Sequence, residues 1–446
     1  MGYDPSFQHR IFEMLQASQY WTNGQLAAFQ DQQLSQLLSF ANNNVPFYKN
    51  RLEHALTPHG TVNWRRWRDI PILTRDDLHD RRETMLPVNI PQGHGTIADH
   101  TGSGTLGRRI TTRHNSLMPL VSDAALFRNF EWFNFDYAKT FCSFLWDDME
   151  SGKWPEGLEG GTWGPSWEPQ TQNGKLIHIN LYASPEQLAE FLHRNSVSYF
   201  TGRPKAMQSV ALATERLGLN TKLSAIPTFG TAVTEDERED CKRVFDADLI
   251  SVYASKELYN IAHQCPSSQN LHVNAELMFV EVLDDDGNPC VAGQIGRGVF
   301  TSFYNTSQPL IRYDIGDQII LGDRCKCGRT LPVIERVAGR TNHLFRFPNN
   351  RKIALFILAD FMKVLSAKNW QIAQLEPLLL EVRYIPDGSG NKPNFVKFTE
   401  VLKAHTQSDI SVRYKEIQTL PLTPSGKFIE YVCELLPSAA QAVQNS

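Results

Sequence analysis

Apolar positions repeat at helical spacing early in the chain. Leu26, Phe29, Leu34, Leu37, Leu38 and Ala41 fall on one face and predict helices over residues 8–56. Asn42 to Pro46 breaks that pattern, and Val45-Pro46-Phe47-Tyr48 reads as an aromatic packing anchor. Thr74 ahead of Arg75-Asp76-Asp77-Leu78 reads as the N-cap of a short helix. Ile90-Pro91 leads into irregular chain, Ile110-Thr111-Thr112 alternates as a strand does, and residues 117–130 read as a helix. Further on, helices over 203–217 and 235–245, and one starting at Pro185, alternate with strands over 197–202, 223–230 and 249–253. Such alternation predicts an α/β architecture with a largely parallel sheet. In such sheets ligands bind beyond the carboxyl ends of strands, so the turns after Phe200, Ile226 and Val252 are the places to look. Short strands over 276–283, 299–303 and 319–321 predict a small β-rich subdomain, with Asp284-Asp285-Asp286-Gly287-Asn288 as a hairpin turn. After Arg340 the composition shifts. A helix over 353–365, a strand over 378–385, a helix over 395–405 and a strand over 410–414 predict an α+β domain. The expected division is therefore 1–340 and 341–446, the first with α/β sheets and the β-rich subdomain, the second a small mobile lid.

A chain of 446 residues exceeds one small core and implies two or three folding units. Hydrophobic content of 41% and charged content of 21% describe an ordinary soluble globular protein. A net charge of −4 gives no basic excess for nucleic acid or an anionic membrane surface. The first ten residues carry no apolar core of a signal peptide, and no apolar run is long enough for a membrane span. Seven cysteines, an odd number in a long chain, fit a reducing compartment, and the expected location is the cytoplasm.

Several stretches carry candidate chemistry. His100-Thr101-Gly102-Ser103-Gly104-Thr105-Leu106-Gly107-Arg108-Arg109 combines glycines, hydroxyls and arginines. Glycine lets the backbone approach a ligand, and successive N–H groups cradle an anion. The stretch suits a solvated surface loop or a phosphate loop; it is not a Walker A sequence, which needs Lys after the last Gly. Residues 130–168 are rich in aromatics, from Phe130 to Trp167. They suit core strands with a Gly-rich loop, or alternatively the wall of a pocket for an aryl or acyl group. In Tyr253-Ala254-Ser255-Lys256-Glu257 a carboxylate follows a strand; it suits a Mg²⁺ ligand, or the first turn of a helix. Asp317, after Gly316, suits a ribose ligand or a β-turn. Cys325-Lys326-Cys327-Gly328 is half of a zinc site that Cys265 with His272, or His263, would complete; a redox pair and separate thiols are the alternatives. Lys427 stands on a Ser-Gly turn near the end of the chain.

Together these stretches resemble the adenylate-forming (acyl-activating) ligases, and among them the phenylacetate–CoA ligase and coenzyme F390 synthetase-like branch. Residues 102–107 are similar to the family's Ser/Thr/Gly-rich loop, 253–257 to Tyr-x-x-Thr-Glu, and 312–317 to Arg-Tyr-x-x-x-Asp. Cys325-x-Cys327-Gly328-Arg329, Gly339-Arg340 and Leu420 to Lys427 match further motifs in order and spacing. The resemblance runs from about residue 35 to 432. It implies that ATP activates a small carboxylic acid, with an aryl or arylacetic acid expected, to an acyl-adenylate with release of pyrophosphate. A thiol, coenzyme A or a carrier-protein arm, then takes the acyl group. By motif position Ser103, Gly104, Thr105 and Gly107 hold the phosphates. Gly230 and Thr231 line the adenine, Tyr253 stacks on it, and Asp317 binds the ribose. Glu257 ligates Mg²⁺, Arg340 lies near the ribose, and Lys427 bridges the acid and the α-phosphate. The resemblance also implies a lid rotation hinged after Arg340, and structural zinc on Cys265, His272, Cys325 and Cys327. Leu106, Arg109, Ser255-Lys256 and Asn342-His343 depart from the family's usual residues. An adenylating enzyme that loads a carrier protein or an amine is one alternative. A catalytically inactive nucleotide-binding homologue is another, against which Glu257, Asp317 and Lys427 argue. A nucleic-acid partner is not expected, and the chain is expected as a monomer or homodimer.

Overall fold

The computed structural model describes residues 5–91, 93–101, 110–145, 151–168, 173–180, 183–340, 344–348, 351–354, 363–388, 390–420 and 431–435. These fall into two compact units. One holds residues within Met1–His100, Thr112–Ile315 and Ile319–Val337; the other holds those within Thr101–Thr111, Gly316–Gln318 and Ala338–Ser446.

The first unit opens with α1 (Pro5–Ser18) and α2 (Asn23–Asn44). Thr22 starts α2 with a reciprocal cap: its side chain accepts from the Gln25 N–H, while the Gln25 side chain accepts from the Thr22 N–H. The apolar stripe read from the sequence is buried at Leu26, Leu34, Leu37, Leu38 and Ala41. Phe47 and Tyr48 are buried in the short 3₁₀ turn that follows. Thr74 caps α3 (Arg75–Asp80) in the same reciprocal way with Asp77. The chain before the Gly-rich stretch, read as irregular, contains β1 (Ile97–Thr101). All its residues are exposed, so it offers no hydrophobic alternation to read. It pairs with β2 (Thr111–Asn115) as a two-stranded sheet, and α4 (Leu117–Trp132) follows.

Four strands, β3 (Phe141–Leu145), β4 (Leu158–Thr162), β5 (Lys175–Asn180) and β6 (Tyr199–Thr201), form a sheet in the order β4-β5-β3-β6. Here β3 is parallel to β5 and β6, and only β4 is antiparallel. Helices α5 (Pro185–Arg194), α6 (Pro204–Arg216) and α7 (Glu235–Phe245) contribute Phe191, Met207 and Phe245 to a core shared with Ile179 and Phe200. Proline at the first turn of α5 and α6 costs no hydrogen bond there. The aromatic run 130–168 supplies a second core. Phe130, Phe135, Phe141 and Trp163 are buried with Tyr199, and Phe135 stacks on both Phe130 and Tyr199 with ring centroids 4.3 Å apart.

The larger sheet keeps the expected parallel pairing between residues 226–229 and 249–255 and turns antiparallel beyond them. Its order is β11-β12-β13-β14-β10-β9-β8-β7. Its strands are β7 (Ile226–Phe229), β8 (Leu249–Ser255), β9 (Tyr259–Gln264), β10 (Leu271–Val273), β11 (Met278–Leu283), β12 (Ile295–Ser302), β13 (Tyr313–Leu321) and β14 (Val333–Arg340). β7 and β8 are parallel, whereas β8/β9, β9/β10, β10/β14 and β11/β12 are antiparallel. The physical reason is connection length. The chain turns back within Lys256–Leu258, which is far too short for the crossover a parallel neighbour needs. Glu257 therefore sits in a hairpin turn and does not start a helix. The acidic stretch 284–288 is the expected hairpin turn, with Asp284 N–H donating to the Asn288 carbonyl. β13 is longer than the sequence suggested, so Asp317 lies inside a strand rather than in a turn. Gly316 just before it has φ +85°, a conformation that glycine adopts without strain.

In the second unit, β15 (Leu344–Phe347) and β16 (Arg351–Ala354) form an antiparallel pair. β17 (Ala367–Glu376), β18 (Leu379–Pro386), β19 (Ser411–Glu416) and β20 (Tyr431–Cys433) form a sheet in the order β19-β18-β17-β20. Phe398 and Leu402 of α8 (Phe395–Thr406) share a core with Phe345, Ile372, Leu380 and Val382. Of the helix expected over 353–365, residues 353–354 belong to β16, 363–365 form a 3₁₀ turn, and the rest lies outside the described residues.

One buried ion pair ties the first unit together. Arg128 of α4 and Glu276, just before β11, are both fully buried, with Nη1 2.7 Å from Oε1. Arg128 Nη1 also donates to the Leu15 carbonyl at 3.0 Å, and Nη2 to Asn274 Oδ1 at 2.9 Å. Ser18 Oγ donates to Glu276 Oε1 at 2.5 Å. Removing one partner strands the other charge in the interior, at a cost of about 3–5 kcal/mol. Glu276→Gln is expected to lower stability by that amount in urea unfolding followed by tryptophan fluorescence. Arg243→Gln, which breaks the exposed contact with Glu215, is expected to cost less than about 1 kcal/mol. Equal losses in the two variants would show that the buried pair does not hold these elements.

Candidate active site and metal-ligand cluster

Glu257 is buried in the turn between β8 and β9. Ser255 shapes this turn by accepting from the Leu258 N–H at 3.1 Å. One carboxylate oxygen, Oε1, accepts from Arg75 Nη1 at 3.3 Å, with side-chain exposures of 10% and 22%. Arg75 is the first residue of α3, so the Thr74 cap fixes where its guanidinium starts. The sequence marked Thr74 but gave no sign that Arg75 meets a residue 182 positions away.

The irregular segment before α3 is held by a second arginine. Arg312 has φ +51°, unusual for a residue with a side chain. Its Nε and Nη2 donate to Glu281 Oε2 and Oε1, each at 3.0 Å, a two-pronged ion pair on β11. Its Nη1 donates to the carbonyls of Arg68 at 3.0 Å and Ile70 at 2.7 Å. The main chain then pairs Leu73 with Tyr313 in parallel. This pairing runs segment 70–75 beside the start of β13, the strand that carries Asp317 four residues on. Asp317 is buried, with 8% of its surface exposed.

Tyr253 is half-buried on β8, its ring set edgewise to Phe300 at 6.3 Å. Gly230 and Thr231 are exposed after β7, and Gly230 has φ +88°. Ser103, Gly104, Thr105, Gly107 and Lys427 lie outside the described residues. Arg340 ends β14, and its side chain lies outside the description too. The flanks of the Gly-rich stretch are well anchored. Asp99 of β1 meets Arg82 at 2.7 Å and Arg113 of β2 at 2.9 Å, and these two guanidiniums hold its carboxyl down at about 2. The Arg113 N–H donates to Gln308 at 2.7 Å, and Asn305 donates to the Arg113 carbonyl at 2.9 Å. His114 packs edgewise against His100 at 5.1 Å and Tyr259 at 5.2 Å. Burial, helped by His100, lowers the His114 pKa to about 4 and so keeps the ring neutral at neutral pH.

Cys265, His272, Cys325 and Cys327 come together: their ligand atoms all lie within 4.8 Å of one another. Cys265 follows β9, His272 lies on β10, and the two other cysteines sit in the turn before β14. Cys265 Sγ is 3.6 Å from Cys325 Sγ, and Cys327 Sγ is 3.2 Å from His272 Nε2. Burial lowers the His272 pKa to about 4, leaving a neutral ring, and raises the Cys265 thiol to about 11. Burial also pushes the Cys327 thiol up, but the Arg329 N–H and the neighbouring thiols outweigh it and hold this group below its usual range. His263, the other histidine considered, is fully buried opposite His272 but is not in the group, and neither ring nitrogen makes a hydrogen bond among the described residues. No helix among the described residues is long and apolar enough to cross a membrane.

No family model matches the chain. Among curated proteins, the phenylacetate–coenzyme A ligase of Thermus thermophilus is 23% identical over 326 residues, covering 72% of this chain and 71% of that protein. Among solved structures, 2-hydroxyisobutyryl-CoA ligase in the postadenylation state superposes with a TM-score of 0.69 at 16% identity, covering 94% of this chain and 92% of that one. An anthranilate–CoA ligase in complex with anthranoyl-AMP superposes with a TM-score of 0.53 at 13% identity, covering 76% and 68%. The resemblance carried by the motifs is thus matched independently by sequence similarity and by structure, and the chain has the fold of the acyl-CoA-forming, adenylate-forming ligases.

Proposed function

We propose that the chain is an AMP-forming acid–thiol ligase. ATP activates a carboxylic acid as its acyl-adenylate, pyrophosphate leaves, and a thiol such as coenzyme A accepts the acyl group. The observation that carries this reading is the likeness to 2-hydroxyisobutyryl-CoA ligase over 94% of the chain, joined to motifs in the matching order. An aryl or arylacetic acid is supported by the relative active on phenylacetate. The aromatic run adds no support, because its buried members fill a core.

The proposed roles follow the motifs. Ser103, Gly104, Thr105 and Gly107 cradle phosphate, Gly230 and Thr231 border the base, Tyr253 stacks on it, and Asp317 takes the ribose hydroxyls, with Arg340 nearby. Glu257 suits Mg²⁺, which binds proteins through one or two carboxylates and keeps its other positions for water and phosphate. With Oε1 on Arg75, the cation would meet the other oxygen. Lys427 neutralises charge between the acid and the α-phosphate. The proposed division at residues 340–341 places this lysine in the C-terminal lid.

The Cys/His group suits zinc. Zn–S bonds of about 2.3 Å in a tetrahedron give sulfur–sulfur edges of about 3.8 Å. The observed 3.6 Å between Cys265 and Cys325 is close to such an edge. Three thiolates and an imidazole close the coordination shell, so this ion would brace the fold rather than take part in the reaction.

Acid-dependent pyrophosphate release is expected from the full chain with ATP and Mg²⁺, across aryl, arylacetic, fatty and amino acids and without thiol. Lys427→Ala is expected to lower the rate at least about 100-fold, as for loss of one preorganised charge donor. Folded protein that releases no pyrophosphate with any acid would overturn the reading. For the metal, elemental analysis of purified protein is expected to find one zinc per chain. Cys325→Ser is expected to lose it and to lower the melting temperature. Metal-free protein of unchanged stability would remove the zinc assignment.

A further inference from the structure

A cavity of about 200 Å³ lies in the first unit, beside α1 and α4. His9, Phe12 and Gln16 form one wall, spaced along a single stripe of α1. The opposite wall is the turn 165–168, closed by the Glu168 N–H donating to the Pro165 carbonyl at 3.2 Å. Ser166 in that turn donates to Gln8 Oε1 at 2.7 Å, and Gln8 in turn donates to the Leu120 carbonyl at 3.2 Å. The turn, α1 and α4 are therefore fixed to one another, and the cavity is a built feature of the unit.

Its lining has one chemical character. The Trp167 ring stacks on His9 with centroids 5.3 Å apart, packs against Phe12 at 5.0 Å, and stands edgewise to Phe127 at 5.6 Å. Tyr137 completes the aromatic wall, 5.9 Å from Phe127. The Tyr137 hydroxyl is shielded from water and lies within hydrogen-bonding influence of the Glu131 carboxylate. Burial first, then the carboxylates of Glu131 and Glu168, raise its pKa, so both acids lie close enough to act on it. Both also line the cavity, and among the described residues no lysine or arginine does. Glu131 makes no ion pair among the described residues. The space thus gathers electron-rich ring faces, the exposed carboxylates of Glu131 and Glu168 and a phenol oxygen.

We infer that this cavity is a binding site for a small primary alkylammonium ion. Ring faces attract a cation and accept its apolar tail, and carboxylates supply the opposite charge. The phenol oxygen distinguishes among cations. A primary ammonium brings three N–H donors, one of which the Tyr137 oxygen can accept, whereas a quaternary ammonium brings none. The volume suits a short chain rather than a nucleotide-sized ligand, which needs 300 Å³ or more as a rough lower bound. The site shares no residue with the proposed ligase machinery and stands or falls separately from it.

The test uses the full chain and three probes at constant ionic strength: n-butylammonium, tetramethylammonium and butyrate. Binding is followed by saturation-transfer NMR titration. Saturable butylammonium binding is expected, with Kd of about 1 mM or tighter, and weaker binding of both other probes. Glu131→Gln, which keeps the side-chain volume, and Trp167→Ala are each expected to weaken it at least about tenfold, as for a lost charged hydrogen bond. Both variants are expected to keep the wild-type rate of acid-dependent pyrophosphate release, which reports an intact fold. If Trp167→Ala loses that activity, Glu131→Gln and the two control ions decide. The inference is overturned by absence of saturable binding, by tetramethylammonium or butyrate binding as tightly, or by a folded Glu131→Gln that binds like wild type.

Discussion

Everything in the first unit has to accommodate one guanidinium that never meets water. Arg128 is fully buried, and a buried charge is tolerated only where ionic and hydrogen-bonding partners surround it. Its partners come from two places far apart in sequence: the Leu15 carbonyl in α1, and Asn274 and Glu276 in the segment between β10 and β11. Meeting that requirement fixes α1 and α4 against the large sheet. Two features described above depend on that arrangement. The cavity lined by His9, Phe12 and Gln16 needs α1 held in one register. His272 of the Cys/His group lies four residues from Glu276 in the chain, and its ring packs edgewise against Trp132 of α4 at 5.7 Å.

Arg312 does a comparable job at the candidate active site. The two arginines differ in what they constrain. Arg128 fixes helices against a sheet, whereas Arg312 fixes an irregular segment, with its carbonyl acceptors at Arg68 and Ile70, beside the strand that leads to Asp317. Loops that carry chemistry need such rigid support, since a small misplacement of a binding group costs much of its effect. Arg75 reaches Glu257 because Arg312 has already set where α3 begins.

The parts legible in the sequence were those written in local patterns. The stripe of α2, the Thr74 cap, the helices α5, α6 and α7 with the strands between them, and the 284–288 turn could all be read from neighbouring residues. The motif order also carried the family resemblance. Local pattern failed where a strand owes its state to its partner: β1 is wholly exposed, and β17, ten residues long, is held by β18 and β20 on its two sides. Parallel pairing holds for β6, β7 and β8, the strands that alternate with helices, and ends where a short hairpin after β8 reverses direction. Within the site, Glu257 and the Cys/His set were visible as motif positions. Arg75, Asp99, Gln308 and Asn305 were not, because their roles exist only through contacts with distant chain.

The spacing of the Cys/His group bears on how the protein comes to be folded. Cys265 and His272 belong to one hairpin, but Cys325 and Cys327 arrive only once the chain has run through β11, β12 and β13 and returned as β14 beside β10. The contact between Cys265 and Cys325 spans 60 positions. Closing a loop of that length is entropically opposed until the intervening strands have paired. The four groups therefore come within reach of one another late. An ion captured there would act as a clasp on a sheet already assembled, locking it rather than starting it.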